Sequence, residues 1–175
     1  MTNPPSNIVL IGMPGSGKST VGVILAKLAS LNFIDTDILI QRFAGKPLQK
    51  IVDTDGYLAL RKIEEDVLLT LHCRDHVIAT GGSAVYSPSE MEHLRVDGLI
   101  VFLDVEMETL LSRICNYETR GLAKRPDQTL EELFCERLIL YRKYADVTIS
   151  CAGLTQDEVS ATIIKELGAQ KHTSP

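Results

Sequence analysis

A glycine-rich segment near the start of the chain fits the phosphate-binding pattern G-x-x-x-x-G-K-[ST]. It runs Gly12-Met13-Pro14-Gly15-Ser16-Gly17-Lys18-Ser19-Thr20 between an apolar run and a helical pattern. Glycines let the backbone curl so that successive N–H groups point at phosphate oxygens. Lys18 can reach the β- and γ-phosphates, and the Ser19 hydroxyl can ligate Mg²⁺. The alternative is a turn that binds nothing, but the strand–loop–helix context favours nucleoside triphosphate binding.

Two aspartates follow the second apolar run, in Phe33-Ile34-Asp35-Thr36-Asp37. Residues two apart in an extended segment point to the same side, and ligands bind at the C-terminal edge of a parallel sheet. One carboxylate can hold Mg²⁺ directly or through water, while the other accepts a proton from an attacking hydroxyl. The alternative is that Asp37 only caps the following helix, which leaves Asp35 unexplained.

Three weaker patterns lie further along the chain. Arg61 and Glu64 are three residues apart on a predicted helix, so the glutamate can hold the guanidinium for a substrate carboxylate. A surface ion pair is the more common meaning of that spacing. Gly81-Gly82-Ser83 follows the third apolar run and permits close approach of backbone to a ligand. Arg137, on an amphipathic helix, is by itself typical of a solvated charge.

The elements that must position these residues alternate between strands and helices, which predicts a parallel sheet covered on both faces. We expect strands near residues 7–12, 33–36, 77–80, 99–103 and 146–150. We expect helices at about residues 18–30, 38–44, 58–73, 88–94, 106–115, 129–144 and 155–167. A capping box at Thr129-Leu130-Glu131-Glu132 marks one helix start.

A polar loop, residues 116–128, separates two of the predicted helices and carries the cations Arg120, Lys124 and Arg125. Unstructured loops of this length are usually functional or disordered. Beside a phosphate-binding loop, a mobile basic segment can close as a lid and exclude water. The alternative is a solvated surface loop.

Composition narrows the class of protein. The 175 residues are 45% hydrophobic and 23% charged, as expected for one globular domain. A formal net charge of −5 argues against general nucleic-acid binding. No apolar run is long enough to predict a membrane span, and the N-terminus does not resemble a signal peptide. The 4 cysteines form no C-x-x-C pair, which predicts reduced, mostly buried thiols in a cytoplasmic protein and argues against a zinc site.

Together these motifs resemble the shikimate kinase family, small relatives of the nucleoside monophosphate kinases. The resemblance extends from Ile8 to about Leu167, with each motif in order. It implies an α/β P-loop fold, a three-layer α/β/α arrangement whose five-stranded parallel sheet has the order 2-3-1-4-5, and a monomer. It also implies ATP and Mg²⁺ as cofactors, a small acceptor with a carboxylate, and a substrate-binding segment at about 35–62 with a lid at about 115–128.

The resemblance also implies a role for each candidate residue. In the phosphate-binding loop, it assigns nucleotide contacts to Gly15, Ser16, Gly17, Lys18, Ser19 and Thr20. It assigns the Mg²⁺ site to Ser19 and Asp35, and the general base to Asp37. It places Arg113 beside the adenine and Arg120 on the lid, where Arg120 joins Lys18 in neutralising the transferred phosphoryl group. It assigns substrate contacts to Asp37, Arg61, Gly81, Gly82 and Arg137.

Two departures from the family pattern bear on the acceptor. Ser83 replaces the third glycine of a triple, and the lid sequence Arg-Pro-Leu-Leu is replaced by Arg120-Gly121-Leu122-Ala123. Because glycine lacks the fixed φ of proline, we expect a more flexible lid. The leading hypothesis is phosphorylation of shikimate to shikimate 3-phosphate with release of ADP. The alternatives are a kinase of the same fold for a gluconate- or nucleoside-like acceptor, and a non-catalytic nucleotide-binding regulatory module.

Overall fold

The sheet contains the strands that the apolar runs predict. The structure, a computed structural model, describes residues 5–113 and 121–171. Its strands are β1 (Asn7–Ile11), β2 (Asn32–Asp35), β3 (His76–Ala79), β4 (Gly98–Asp104) and β5 (Val147–Ser150). All pairings are parallel and the order is β2-β3-β1-β4-β5. The predicted fold class and strand order are confirmed.

Helices connect and cover these strands. Within the described residues they are α1 (Lys18–Ala29), α2 (Thr36–Ala44), α3 (Leu48–Asp55), α4 (Tyr57–Leu69), α5 (Pro88–Asp97), α6 (Met107–Arg113), α7 (Leu130–Tyr144) and α8 (Gln156–Lys171), with a one-turn 3₁₀ helix at Ala84–Tyr86. Helix α1 packs against α8, whereas α5 and α7 pack against β4. The β1-to-β2 and β3-to-β4 crossovers run in opposite directions along the sheet, so right-handed connections place α1 on one face and α5 on the other.

The strand order brings the chemical motifs together. Strand β3 lies between β2 and β1, and all three run in the same direction. The phosphate-binding loop therefore leaves β1 at the same edge where the aspartates leave β2 and Gly81-Gly82 leaves β3. A hydrogen bond of 3.0 Å from the Gly81 N–H to the Thr36 hydroxyl joins the last two segments. Burial of β1 on both faces explains its continuous apolar sequence.

Several predicted boundaries were wrong. The helix expected at 38–44 begins at Thr36, because the Asp35 side chain caps it by accepting from the Asp37 N–H at 3.0 Å. The helix expected at 58–73 ends at Leu69, and the one expected at 88–94 continues to Asp97. Helix α3 was not predicted; it is only 8 residues long and lies between Pro47 and Gly56.

A second apolar cluster lies beside the main core of the sheet. Its buried members come from three helices, α2, α3 and α4, and from the 116–128 loop. They are Ile40, Ile51, Leu60, Val67 and Ala123. The neighbouring Leu122 packs instead into the main core. Residues 121–123 are therefore buried, so this end of the predicted lid packs against α2, α3 and α4 and against the main core. In the part of the chain that the structure describes, no helix is long and apolar enough to cross a membrane.

Candidate active site

The phosphate-binding loop has the open helix start that anions require. Gly15 and Gly17 adopt φ values of 83° and 94°, a region that side-chain-bearing residues rarely enter. Gly17 is the N-cap of α1 and provides no side-chain cap. The first N–H groups of the helix are consequently free to bind phosphate oxygens.

Lys18 is held against the inner curve of this loop. Its Nζ donates to the carbonyl oxygens of Gly12 (2.8 Å) and Met13 (2.9 Å), and contacts the Ser16 hydroxyl at 3.4 Å. Burial lowers the pKa of Lys18 to about 8, and the nearby Asp37 charge partly offsets that effect. The ammonium is thus positioned where phosphate oxygens can replace the loop carbonyls as acceptors.

Ser19 and Asp35 form an oxygen-donor pair at the mouth of the loop. The Ser19 hydroxyl donates to Asp35 Oδ2 at 2.6 Å, while Asp35 Oδ1 caps α2. A hydroxyl and a carboxylate are donors of the kind that Mg²⁺ prefers, and they lie beside the predicted phosphates. These residues fit a magnesium ion. Asp35, and not Asp37, is the helix cap, so the capping alternative for Asp37 was wrong.

Asp37 and Glu64 face the backbone of Gly81. A Cβ built on Gly81 would lie 3.1 Å from Asp37 Oδ1 and would overlap Glu64 Oε1. On Gly82 it would lie 2.6 Å from Arg137 Nη1. The two glycines thus allow three charged side chains to approach the same point. Burial, followed by the charge of Asp35, raises the pKa of Asp37.

Ser83 and Glu64 are hydrogen-bonded to each other. The Ser83 hydroxyl donates to Glu64 Oε2, whereas Glu64 Oε1 has no partner among the described residues. Glu64 is only 2% exposed, and burial raises its pKa to about 7 despite the serine bond. The predicted contact between Glu64 and Arg61 is wrong, because the described residues include no ion pair between them. The serine that departs from the family pattern holds the glutamate instead.

Arg61 and Arg137 converge on one backbone oxygen. Nη2 of Arg61 donates to the Ala123 carbonyl at 3.1 Å, and Nη2 of Arg137 donates to the same oxygen at 2.9 Å. Arg137 is 1% exposed, so its interpretation as a solvated charge was wrong. Two guanidinium groups that share one oxygen can also share a carboxylate, which is the ligand arginine binds best.

A cleft of about 560 Å³ joins these groups. The predicted residues that line it are Gly15, Gly17, Lys18, Ser19, Thr20, Asp37, Gly81, Gly82, Arg113 and Arg137. Arg61 lies behind Ala123, beside a neighbouring groove. Arg120, predicted to be catalytic, lies outside the described residues, as do residues 115–119 of the predicted lid. Arg113 is exposed at the rim.

Two aromatic residues of the site were not predicted. The Tyr86 ring stacks on Arg61, whose Cζ is 3.5 Å from the ring centroid. The Tyr141 hydroxyl donates to the Gly82 carbonyl at 2.7 Å. Tyr141 lies four residues after Arg137 on α7, so both are on one helix face. That spacing could have predicted that Tyr141 belongs to the site. Tyr86 had no comparable pattern, since its contacts join distant segments.

The described cysteines are free thiols that differ in burial. Cys73, Cys135 and Cys151 are free. Cys135 is exposed, which differs from the expectation of mostly buried thiols, whereas Cys151 is buried. Within residues 5–113 and 121–171, no group of three or more His, Cys, Asp or Glu side chains can hold a metal ion.

Comparison with known proteins identifies the family. A family model described as shikimate kinase matches residues 14–168. The chain belongs to the shikimate kinase family. A shikimate kinase of Caldanaerobacter subterraneus is 38% identical over 91% of this chain and 94% of its own length. One from Rippkaea orientalis is 42% identical over 92% of this chain and 85% of its own length.

A solved structure gives the same assignment. The shikimate kinase from Acinetobacter baumannii, in complex with shikimate, superimposes with a TM-score of 0.86 at 31% identity. The match covers 97% of this chain and 96% of that one. Members of this family are small-molecule kinases that use ATP as phosphate donor. The resemblance found in the sequence motifs is therefore confirmed.

Proposed function

We propose that this chain transfers the γ-phosphoryl group of ATP to a hydroxyl of shikimate, giving shikimate 3-phosphate and ADP. The observation that carries the proposal is the convergence of Arg61 and Arg137 on the Ala123 carbonyl oxygen. An acceptor carboxylate is the natural replacement for that oxygen. It would tether a small cyclic polyol within reach of the carboxylates and the phosphate-binding loop, which line the same cleft.

The nucleotide is bound by its own set of residues. Gly15 to Thr20 surround the phosphates, and Lys18 neutralises charge that develops on the transferred group. Ser19 and Asp35 would hold Mg²⁺, which supplies further charge neutralisation when bound. Arg113 contacts the adenine side of the nucleotide at the rim of the cleft.

Asp37 is the proposed general base. As the acceptor oxygen bonds to the γ-phosphorus, its proton passes to the Asp37 carboxylate and the bond from phosphorus to the ADP oxygen breaks. The raised pKa of Asp37 suits a group that must take up a proton. Gly81 and Gly82 leave room for the acceptor to approach beside it.

We also propose roles for two segments of the chain, and a compartment and an oligomeric state for the protein. The segment at about 35–62 supplies Asp37 and Arg61 to the acceptor, and a lid at about 115–128 carries Arg120 to the phosphates, all within one kinase domain. The protein acts as a cytoplasmic monomer on a small molecule, without nucleic acid or membrane. Free thiols at the described cysteines support a reducing compartment, and the net charge of −5 opposes nucleic-acid binding.

Release of ADP from Mg·ATP tests the function directly. Purified protein is assayed without acceptor, with shikimate, and with gluconate, sugars and nucleosides at matched concentrations. We expect strong, saturable stimulation by shikimate alone. Stimulation by another acceptor but not by shikimate would refute the assignment, and slow hydrolysis that no acceptor stimulates would indicate a nucleotide-binding module.

A further inference from the structure

Tyr86 lies between the two arginines that the acceptor site depends on. The centroid of its ring is 3.5 Å from Cζ of Arg61 and 5.4 Å from Cζ of Arg137. At the shorter distance the guanidinium lies over the ring face, where its positive charge meets the negative face of the π-system. The tyrosine comes from the 3₁₀ helix that directly follows Gly81-Gly82-Ser83.

The position of this ring is fixed from two sides. Ala84 and Val85, the preceding residues of the 3₁₀ helix, are buried in the main core. The Tyr86 hydroxyl donates to Glu136 Oε1. Glu136 is the residue before Arg137 on α7, so one tyrosine is stacked on the first arginine and bonded to the neighbour of the second.

Glu136 in turn connects this assembly to the loop that ends at α7. Its Oε2 accepts from Gln128 Nε2 at 3.0 Å and from Arg125 Nη1 at 3.2 Å. The Tyr86 hydroxyl bond, together with these two, lowers the pKa of Glu136. Three donors hold the Glu136 carboxylate in place, and the carboxylate in turn fixes the position of the Tyr86 ring.

Arg61 has few other restraints. Its Nη2 donates to the Ala123 carbonyl, its Nε is buried with no hydrogen-bond partner, and no carboxylate of the described residues forms an ion pair with it. When an acceptor replaces the Ala123 carbonyl, even that bond is lost. An arginine side chain has many rotamers, so an unrestrained guanidinium must be ordered at the moment of binding.

We propose that Tyr86 is a positioning residue that holds Arg61 flat and aligned with Arg137, so that the pair selects an acceptor with a carboxylate. This inference rests on the proposed function and adds a determinant of its specificity. Tyr86 acts through Arg61 and does not touch the acceptor. Its loss should therefore affect the recognition of a charged acceptor and leave nucleotide binding unchanged.

The test compares shikimate with its carboxamide, which keeps the hydroxyls and removes the negative charge. The variants are Tyr86→Leu and Tyr86→Met, which remove the aromatic face, and Tyr86→Phe, which keeps it and loses the bond to Glu136. Tyr57→Leu is the matched control, because Tyr57 also faces Arg61 but at 5.2 Å. Steady-state kinetics for both acceptors and for ATP are measured, with thermal midpoints to check folding.

We expect Tyr86→Leu and Tyr86→Met to lower kcat/KM for shikimate by about 5- to 30-fold. The KM for ATP and kcat/KM for the carboxamide should stay within about twofold, so the preference for the charged acceptor falls. Tyr86→Phe should retain most of the preference, and Tyr57→Leu nearly all of it.

Equal loss for both acceptors, or a matching rise in the KM for ATP, would overturn the positioning role and indicate a structural one. Unchanged preference in the two aliphatic variants would also overturn it. Failure of the proposed function gives a different result, since the unmodified protein would then show no turnover stimulated by shikimate; that result would remove the inference as well.

Discussion

The guanidinium of Arg137 donates a hydrogen bond of 2.9 Å to the backbone carbonyl of Ala123. Arg61 donates to the same oxygen. The carbonyl belongs to the segment that follows Arg120, so the backbone of the proposed lid occupies the position proposed for the acceptor carboxylate. An acceptor carboxylate that takes these two Nη2 donors has to displace the carbonyl, so we expect acceptor binding to move this part of the loop.

Replacing Arg137 with lysine should separate acceptor binding from nucleotide binding. Lysine keeps the charge but lacks the planar fork that binds a carboxylate through two bonds. We expect the KM for shikimate to rise by about 10- to 100-fold, with the KM for ATP within about threefold. Arg142→Lys is the control, since Arg142 lies on the same helix and is exposed. A proportional rise in both KM values would contradict the assignment.

Gly121 allows a close approach that a side chain would prevent. Its φ is 64°, its N–H donates to Gln49 Oε1 at 2.8 Å, and an added Cβ would overlap Leu48. The family proline, with φ near −65°, cannot adopt this conformation. The sequence predicted a flexible lid from this glycine, but the structure shows that the glycine is needed for packing against α3.

Gly121→Ala should therefore destabilise the docked segment. Gly153→Ala is a matched control, because Gly153 has a φ of 69° and open space around it. The control should cost about 1 kcal/mol for the backbone conformation alone. Gly121→Ala should cost about 1–3 kcal/mol more, because of the overlap, measured by denaturant unfolding. Faster tryptic cleavage after Lys124 would report local release. Equal costs at the two sites would show that Gly121 is not tightly packed.

How far the sequence predicts the site depends on how local each pattern is. The phosphate-binding loop and the Asp35–Asp37 pair consist of contiguous residues, and their neighbours specify the strand and helix that present them. The arginine pair is different, because Arg61 and Arg137 come from α4 and α7 and are brought together only by the fold. From their own segments they look like surface charges, and only the family resemblance predicted a shared role.

Pairings across the fold could not be predicted for the same reason. The spacing of Arg61 and Glu64 favoured a contact between them, but each has a stronger competitor from a distant segment. Ser83 donates to Glu64, and the Tyr86 ring stacks on Arg61. Those competitors become neighbours only once β3 lies beside β1 and the 3₁₀ helix packs on α4. Helix α3 was missed because 8 residues contain too few turns to establish a periodicity.

Removing the Ser83 hydroxyl should show what the serine contributes. Ser83→Ala leaves a buried carboxylate without its donor, which should destabilise the protein by about 1–3 kcal/mol. The pKa of Glu64, already raised by burial, should rise further, because the serine bond lowers it. Unfolding at several pH values measures both effects. Ser89→Ala, an exposed serine bonded to Glu65, is the control and should change stability by less than about 0.5 kcal/mol. No loss in Ser83→Ala would exclude the bond as a stabilising contact.

Glu90 should make stability fall as the pH rises. Burial, together with the charges of Glu64 and Glu65, raises the pKa of Glu90 to about 10. Its ordinary value of 4.5 applies to the unfolded chain, so between the two values the folded state binds more protons. Stability from the neutral carboxyl is thus fully present below about pH 4.5 and declines above it, with a slope of up to about 1.4 kcal/mol per pH unit.

Glu90→Gln should flatten this dependence, because glutamine stays neutral. Thermal or denaturant unfolding from pH 5 to 9 measures the slope in each protein. Glu92→Gln, an exposed position on the same helix, should leave the slope unchanged. If Glu90→Gln and the unmodified protein lose stability in parallel across this range, another group is responsible for the decline.

Asp37→Asn tests the proposed base with little change in shape. The amide cannot accept the proton from the acceptor hydroxyl, so kcat should fall by about 10²- to 10⁴-fold. Binding of ATP depends on the phosphate-binding loop and should persist, as measured by calorimetric titration without acceptor. Asp35→Asn should behave differently, since Asp35 bonds Ser19 and caps α2. Loss of that carboxylate should raise the Mg²⁺ concentration needed for half-maximal activity, whereas the asparagine amide oxygen can still cap α2 and keep the thermal midpoint nearly unchanged. Near-normal turnover of Asp37→Asn would assign the proton to another acceptor. Among the described residues that line the cleft, Glu64 is the other carboxylate, and it faces Gly81 beside Asp37.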